Sequence, residues 1–179
     1  MLEFLKKVAD RCPFEKCGNT QNFIASVFQH EINDLNEEII KYKIPQSKPE
    51  HTITQRYYSP LNVEKIIDDM KLKLNTFGCL FVDIDIGDLE HAFVLFDIEH
   101  SFFIMDSYLR FRKCEIRSFS YDHLSHLLIK PSTDQWNRLF NCDSKNNLDH
   151  NPEIFINYIY EDGNVTEQQF YENDIPILV

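Results

Sequence analysis

Glycine is scarce in this chain, four in 179 residues, and proline only slightly less so at seven. That scarcity excludes a collagen-like, low-complexity or linker-dominated chain. Basic residues are also short, 18 against 29 acidic ones, for a formal net charge of −11. Nucleic acid and anionic lipid are bound through phosphate contacts that need a basic face, and this balance is a poor electrostatic match for both. Acidity by itself names no partner, but it favours solubility and suits a basic substrate surface. No stretch approaches the roughly 18 apolar residues of a membrane-spanning helix. The cysteines (Cys12, Cys17, Cys79, Cys114 and Cys142) are odd in number and irregularly spaced. A disulfide framework is therefore not expected, and free thiols in a reducing compartment are. The opening "MLEFLKKVADRC" carries charges inside an apolar helical face, which reads as an amphipathic helix and not a signal peptide.

What the chain has in quantity is apolar and aromatic surface: 43% hydrophobic residues, with 15 phenylalanines. That is enough, at this length, for a sizeable core. Residues 2–9 read as a short helix and "CPFEKC" as a loop. From Gly18 to about Ile44, Phe23, Ile24, Val27, Phe28, Ile32, Leu35, Ile39 and Ile40 recur at helical spacing, ending before Pro45. "TITQRYY" alternates as a strand, and "NVEKIIDDMKLKLNTF" reads as a helix stopping at Gly78. Four closely spaced strands follow, "CLFVDIDI", "HAFVLFDI", "SFFIMDSY" and "CEIRSFS". After them come helices at "YDHLSHLLIK" and "TDQWNRLF", a polar loop, a last strand at "EIFINYIYED" and an acidic tail. Helices followed by an antiparallel meander make the expected class α+β, in one domain over residues 1–179.

Two polar residues stand out in "HAFVLFDIEHSFFIMDSY". With the reversal centred between Ile98 and Glu99, His91 would face Asp106 across the hairpin. Directly opposed side chains have Cβ atoms roughly 4.5–5.5 Å apart. A carboxylate beside an imidazole fixes its tautomer and stabilises its protonated form. Such a pair lacks only a nucleophile. Cys17 stands where a loop becomes the long helix, and there the unpaired amides and the helix dipole favour a thiolate. Gly18 leaves room for close backbone approach, and Asn19 and Thr20 suit a first helical turn.

Taken together, "KCGNTQNF", "HAFVLFD" and "FFIMDSY" resemble the papain-like cysteine hydrolase fold. The similarity is closest to the compact versions found in bacterial toxins and in type III or type IV secreted effectors, where His and Asp lie on neighbouring strands about fifteen residues apart. It covers about residues 10–130, leaving about 131–179 as a C-terminal extension. The resemblance implies a long N-terminal helix packed on an antiparallel sheet. It also implies Cys17 as nucleophile, His91 as general base and acid, and Asp106 as its orienter. The implied activity is proteolysis or related thiol acyl transfer, including deamidation and transglutamination, on a protein substrate such as a host protein. No cofactor and no metal are implied. The implied location is the cytoplasm, or a host cytosol reached by a specialised secretion system.

Papain-like enzymes usually carry a Gln before the cysteine as an oxyanion donor. Residues 1–16 have none, and Arg11 stands six residues before Cys17. The Cys17 amide supplies one donor; the second lies open among Gln21, Asn19, Arg11 and a backbone amide.

The hairpin also resembles the His and Asp strands of ubiquitin-like-protein-processing and adenovirus-type proteases, which place the cysteine after the Asp. There Cys142 in "FNCDSK" would serve, without the expected glycine. A non-catalytic protein-binding module is the remaining alternative. His123 and His126 near Cys114 and His100 lack paired zinc spacing, and Asp83, Asp85 and Asp88 lack the order of a calcium loop. Cys12 and Cys17 are spaced unlike a redox pair. Trp136 is expected in the core, and "RFRKCEIR" reads as a solvated edge by default or as a recognition strand beside Asp106.

Overall fold

The computed structural model describes residues 2–29, 52–57, 62–108, 113–146, 148 and 152–159. Helix α1 (Leu2–Arg11) leads through a short loop to α2 (Cys17–Gln29), and β1 (Thr52–Tyr57) and α3 (Val63–Phe77) follow. The meander is β2 (Cys79–Ile86), β3 (Leu89–Ile98), β4 (Ser101–Tyr108) and β5 (Lys113–Ser118). Helices α4 (Tyr121–Ile129) and α5 (Thr133–Phe140) precede β6 (Pro152–Ile159). The expected continuation of the α2 helix to Ile44 and the acidic tail lie outside the described residues.

The chain is thus mixed helix and sheet, and every strand pairing is antiparallel, in the order β1-β6-β2-β3-β4-β5. Residues 131–159, beyond the reach of the family resemblance, supply α5 and the internal strand β6. Side chains alternate across a pleated sheet, and both faces here are apolar. Val82, Ile84, Phe93, Leu95 and Ile104 face α3, α4 and α5. Phe81, Val94, Phe96 and Met105 face α1 and α2, against Leu5, Val8, Phe23 and Ile24. Helix α3 starts with the Asn62 side chain accepting from the Lys65 amide. It ends at Gly78, whose φ of 79° lets its N–H cap the Leu74 carbonyl at 2.8 Å.

The β3–β4 reversal differs from the sequence expectation. Ile98 pairs with Ser101 and Leu95 with Ile104, so the turn is centred between Glu99 and His100. Both turn residues have positive φ, 53° and 68°, which is the signature of a type I′ hairpin turn. Asn-Gly normally fills such a turn; Glu-His does not announce it. Moving the centre by one residue moves each cross-strand partner by two, which preserves the face that every side chain occupies. His91 and Asp106 therefore stay on one face as diagonal neighbours, with Asp106 in line with Phe93.

A non-glycine residue at positive φ costs roughly 1–2 kcal/mol. Replacing the turn by Asn-Gly (Glu99→Asn with His100→Gly) should raise the urea-unfolding free energy by about 1 kcal/mol and leave Cys17 reactivity unchanged. A fall in stability would show that the side chains at the turn, and not its backbone, hold the hairpin closed.

Candidate active site

The Asp97 amide donates to the Gly78 carbonyl, toward β2. By strand alternation the even-numbered amides of β3, Ala92 included, point toward β4. Yet the β3–β4 ladder stops at Val94↔Met105. Beyond it the Ala92 amide donates to the Cys17 sulfur at 3.4 Å. Ser107, which that register would have set against Ala92, bonds Thr20 of α2 at 2.6 Å and donates to the Phe14 carbonyl at 2.9 Å. Both hydroxyl residues are buried. The first turn of α2 and the loop before it are therefore wedged between β3 and β4. This wedge carries a helix packed on one face of the sheet to an imidazole on the other.

His91 Nε2 lies 2.7 Å from Asp106 Oδ2, with the side chains 5% and 0% exposed. An ionised carboxylate accepts only, so Nε2 carries the proton and Nδ1 is the ring nitrogen left for Cys17. The imidazole is packed by Phe140 at 4.4 Å between centroids, by Phe93 at 5.9 Å and by the edge of Trp136 at 6.4 Å. Trp136 is buried as expected, and it also helps line a cleft of about 400 Å³ onto which Cys17 and His91 open.

The protonation states follow from these contacts. Burial works against imidazolium, but the Asp106 hydrogen bond, followed by that of Cys17, raises the His91 pKa to about 9. Burial also opposes the Cys17 thiolate; hydrogen bonding and charge from His91, then the Ala92 amide, lower its pKa below that of an ordinary thiol. Burial would raise the Asp106 pKa, but His91 first and Arg117 second hold it below the ordinary carboxylate value. The arrangement favours a thiolate–imidazolium pair.

Sequence reasoning gave Arg117 no role of its own, setting it in a basic strand read as a solvated edge or as a recognition strand beside Asp106. Its Nη1 meets Asp106 Oδ1, and its Nη2 reaches Asp106 Oδ2 at 3.2 Å and the Leu139 carbonyl at 3.0 Å. The alternation of β5 held the signal: Arg117 pairs with Ile104, two residues from Asp106 on the same face. Gln21 is corrected as a candidate oxyanion donor. Its Nε2 donates to the Val82 and Phe93 carbonyls, each at 3.1 Å, which commits both amide hydrogens. Arg11 ends α1 with an exposed side chain. The first helical bond of α2 runs from the Thr20 amide to the Lys16 carbonyl, so the Cys17 amide has no acceptor within its own helix.

The other cysteines have different neighbours. Cys12 bonds Thr20 at 3.8 Å, and a bond with Cys114, then its neighbours Phe14 and Thr20, outweigh burial and lower its pKa. Burial pushes Cys79 up to about 12. Cys142 lines the same cleft as Cys17, but its thiol donates to the Phe140 carbonyl at 3.3 Å. Burial and the nearby Asp106 and Cys17 charges push it up to about 12. His123 and His126 are exposed on α4. No group of three or more His, Cys, Asp or Glu side chains suited to a metal ion occurs among the described residues.

Comparison with protein-family models, curated proteins and solved structures finds no match for this chain.

At pH near 6 ordinary thiols are almost wholly protonated, so iodoacetamide should modify Cys17 ahead of Cys79 and Cys142. His91→Ala should slow that labelling about tenfold or more, by removing the cation that stabilises the thiolate. Peptide mapping of the alkylated sites checks both. Labelling of Cys142 ahead of Cys17 would overturn the assignment.

Proposed function

We propose that this chain is a thiol hydrolase acting on a protein substrate through Cys17, His91 and Asp106, most simply a cysteine peptidase. The observation that carries this reading is the meeting of these side chains at one cleft, although 73 residues lie between Cys17 and His91 in the sequence. A cysteine used as core filler has no need of an adjacent imidazole whose far nitrogen is held by a buried carboxylate. The papain-like resemblance of the motifs points the same way.

In this mechanism the Cys17 thiolate attacks a substrate carbonyl carbon, forming a C–S bond and an oxyanion. The Cys17 amide, at a helix N-terminus, is placed to donate to that oxyanion. His91 gives its Nδ1 proton to the leaving amine as the C–N bond breaks, leaving a thioester. The neutral imidazole then takes a proton from water, whose oxygen attacks the thioester and releases the acid and Cys17. With ammonia as the leaving group, the same steps deamidate a glutamine. With a second amine in place of water, they crosslink it.

The cleft favours substrates with basic residues near the reacting carbonyl. Glu15, Glu90 and Asp143 line it with exposed side chains, against Lys16, and the chain as a whole carries −11. Opposite charge of this kind raises encounter rates with a cationic segment.

Turnover requires Cys17 ionised and His91 protonated. Activity should therefore fall on the acid side as Cys17 is protonated, below an ordinary thiol value, and on the alkaline side near about pH 9 as His91 loses its proton. Asp106→Asn removes the charge that supports the imidazolium, so the alkaline limb should move downward toward the value of a free imidazole. Cys17→Ala should abolish activity. Mass spectrometry of cell lysate proteins after incubation reads the chemistry: new termini mean hydrolysis, a gain of about one dalton at glutamine means deamidation, and joined peptides mean crosslinking. None of these with the parent protein, alongside unselective thiol labelling, would leave a binding module.

A further inference from the structure

Arg117 meets both oxygens of Asp106 and also donates to the Leu139 carbonyl, at the last turn of α5. The next residue, Phe140, is the ring that packs most closely on His91. One guanidinium therefore fixes the carboxylate at the edge of the imidazole and the helix end that carries the aromatic against it. We propose that Arg117 is a positioning residue of this site, holding Asp106 and the end of α5 in one fork and moderating how strongly Asp106 pulls a proton onto His91. This inference rests on the reading of Cys17 and His91 as a working pair.

The geometry suits arginine and not lysine. A guanidinium presents several N–H donors in one plane, so it can grip two carboxylate oxygens and still reach a third acceptor, whereas an ammonium is a point charge on a flexible stem. The guanidinium is about one-fifth exposed, while Asp106 has no exposed side-chain surface. Charge placed there acts on Asp106 with little screening by solvent.

The groups around His91 set the direction of the effect. Asp106 comes from β4 and Cys17 from α2, and both favour the imidazolium. Arg117, from β5, stands behind Asp106 and shares its charge. Helix α5 presents the rings of Trp136 and Phe140, and Cys142 beyond it is held as a neutral thiol. Removing Arg117 leaves Asp106 with His91 as its cationic partner in this group. The imidazolium should become more stable, and the proton should leave Cys17 more readily.

The test is a ring-nitrogen NMR titration of His91 in the full chain, paired with the pH dependence of Cys17 alkylation by iodoacetamide. In Arg117→Met the His91 midpoint should rise by about half a pH unit or more, and the acid limb of Cys17 alkylation should move down. Arg117→Lys keeps the charge but not the fork. Its His91 midpoint should stay near that of the parent, while alkylation at pH 6 slows about tenfold as Asp106 and the α5 end lose their common tether. A folded Arg117→Met protein with the parent His91 midpoint overturns the proposal. If the Met variant fails to fold, an Arg117→Lys protein that alkylates at the parent rate overturns it, and a tenfold loss supports it. The His91 midpoint is read without substrate or alkylator. Its movement therefore tests Arg117 even where unselective thiol labelling of the parent has removed the hydrolase reading.

Discussion

A carboxylate with no exposed side-chain surface lies at the centre of this structure, and the rest of the site follows from the need to compensate it. Burying an isolated ion costs several kcal/mol even after the protein relaxes around it, so Asp106 requires partners with matching geometry. His91 serves one oxygen and Arg117 reaches both, which accounts for most of the acceptor capacity of the group. Each partner is then constrained in turn. The imidazole is fixed in one tautomer with its second nitrogen free for Cys17, and the guanidinium is drawn over the sheet to the end of α5. A neutral hairpin packed with leucines would be simpler to fold. It would not leave an imidazole held in readiness for a proton.

Compensating that charge does not bring a thiol to it. Cys17 belongs to a helix on the opposite face of the sheet, and a continuous ladder between β3 and β4 would keep it there. The ladder ends at Val94↔Met105, and beyond it a backbone amide of β3 and a side-chain hydroxyl of β4 find partners in the α2 wedge. The Ala92 amide meets sulfur, while Ser107 meets Thr20 and Phe14. Buried backbone amides rarely go without an acceptor. The wedge thus gives the Ala92 amide an acceptor where the ladder has ended, and it places sulfur beside the imidazole. Thr20 and Ser107 look like ordinary first-turn and strand residues, yet they tie the Cys17 helix to the strand carrying Asp106.

Much of this was legible in the sequence, because it rests on local periodicity. The helix stop at Gly78, the meander from Cys79 to Ser118 and the apolar character of both sheet faces follow from pattern alone. The shared face of His91 and Asp106 was legible too, and for a reason that survives error: alternation fixes parity, and a shift of two residues leaves parity intact. The turn itself was not, since Glu-His carries none of the glycine or asparagine that usually marks positive φ. Arg117 and Gln21 were missed or misjudged because their partners lie elsewhere in the chain. Arg117 read as part of a basic strand, along a solvated edge or beside Asp106, and only the β4–β5 register picks it out as the residue over the carboxylate. Gln21 was one of four candidate oxyanion donors, and its partners proved to be carbonyls of β2 and β3. Long-range hydrogen bonds leave no periodic trace in the sequence.

The same reasoning explains why one cysteine of the five is set apart. Burial favours the neutral thiol at Cys79 and Cys142, and at Cys142 the Asp106 and Cys17 charges add to it and outweigh the pull of Arg117. Cys12 and Cys114 share a hydrogen bond with each other, so what one gains in acidity the other loses. Only at Cys17 do an imidazolium and a backbone amide act together on a thiolate that also opens onto a cleft. A lowered pKa alone would mark Cys12 as well. What distinguishes Cys17 is that its stabilising cation can also give up a proton. An amide or a second thiol can stabilise a thiolate, but neither can then protonate the group that the thiolate displaces. An imidazole held by Asp106 can do both, and in this fold Cys17 is the thiol placed beside one.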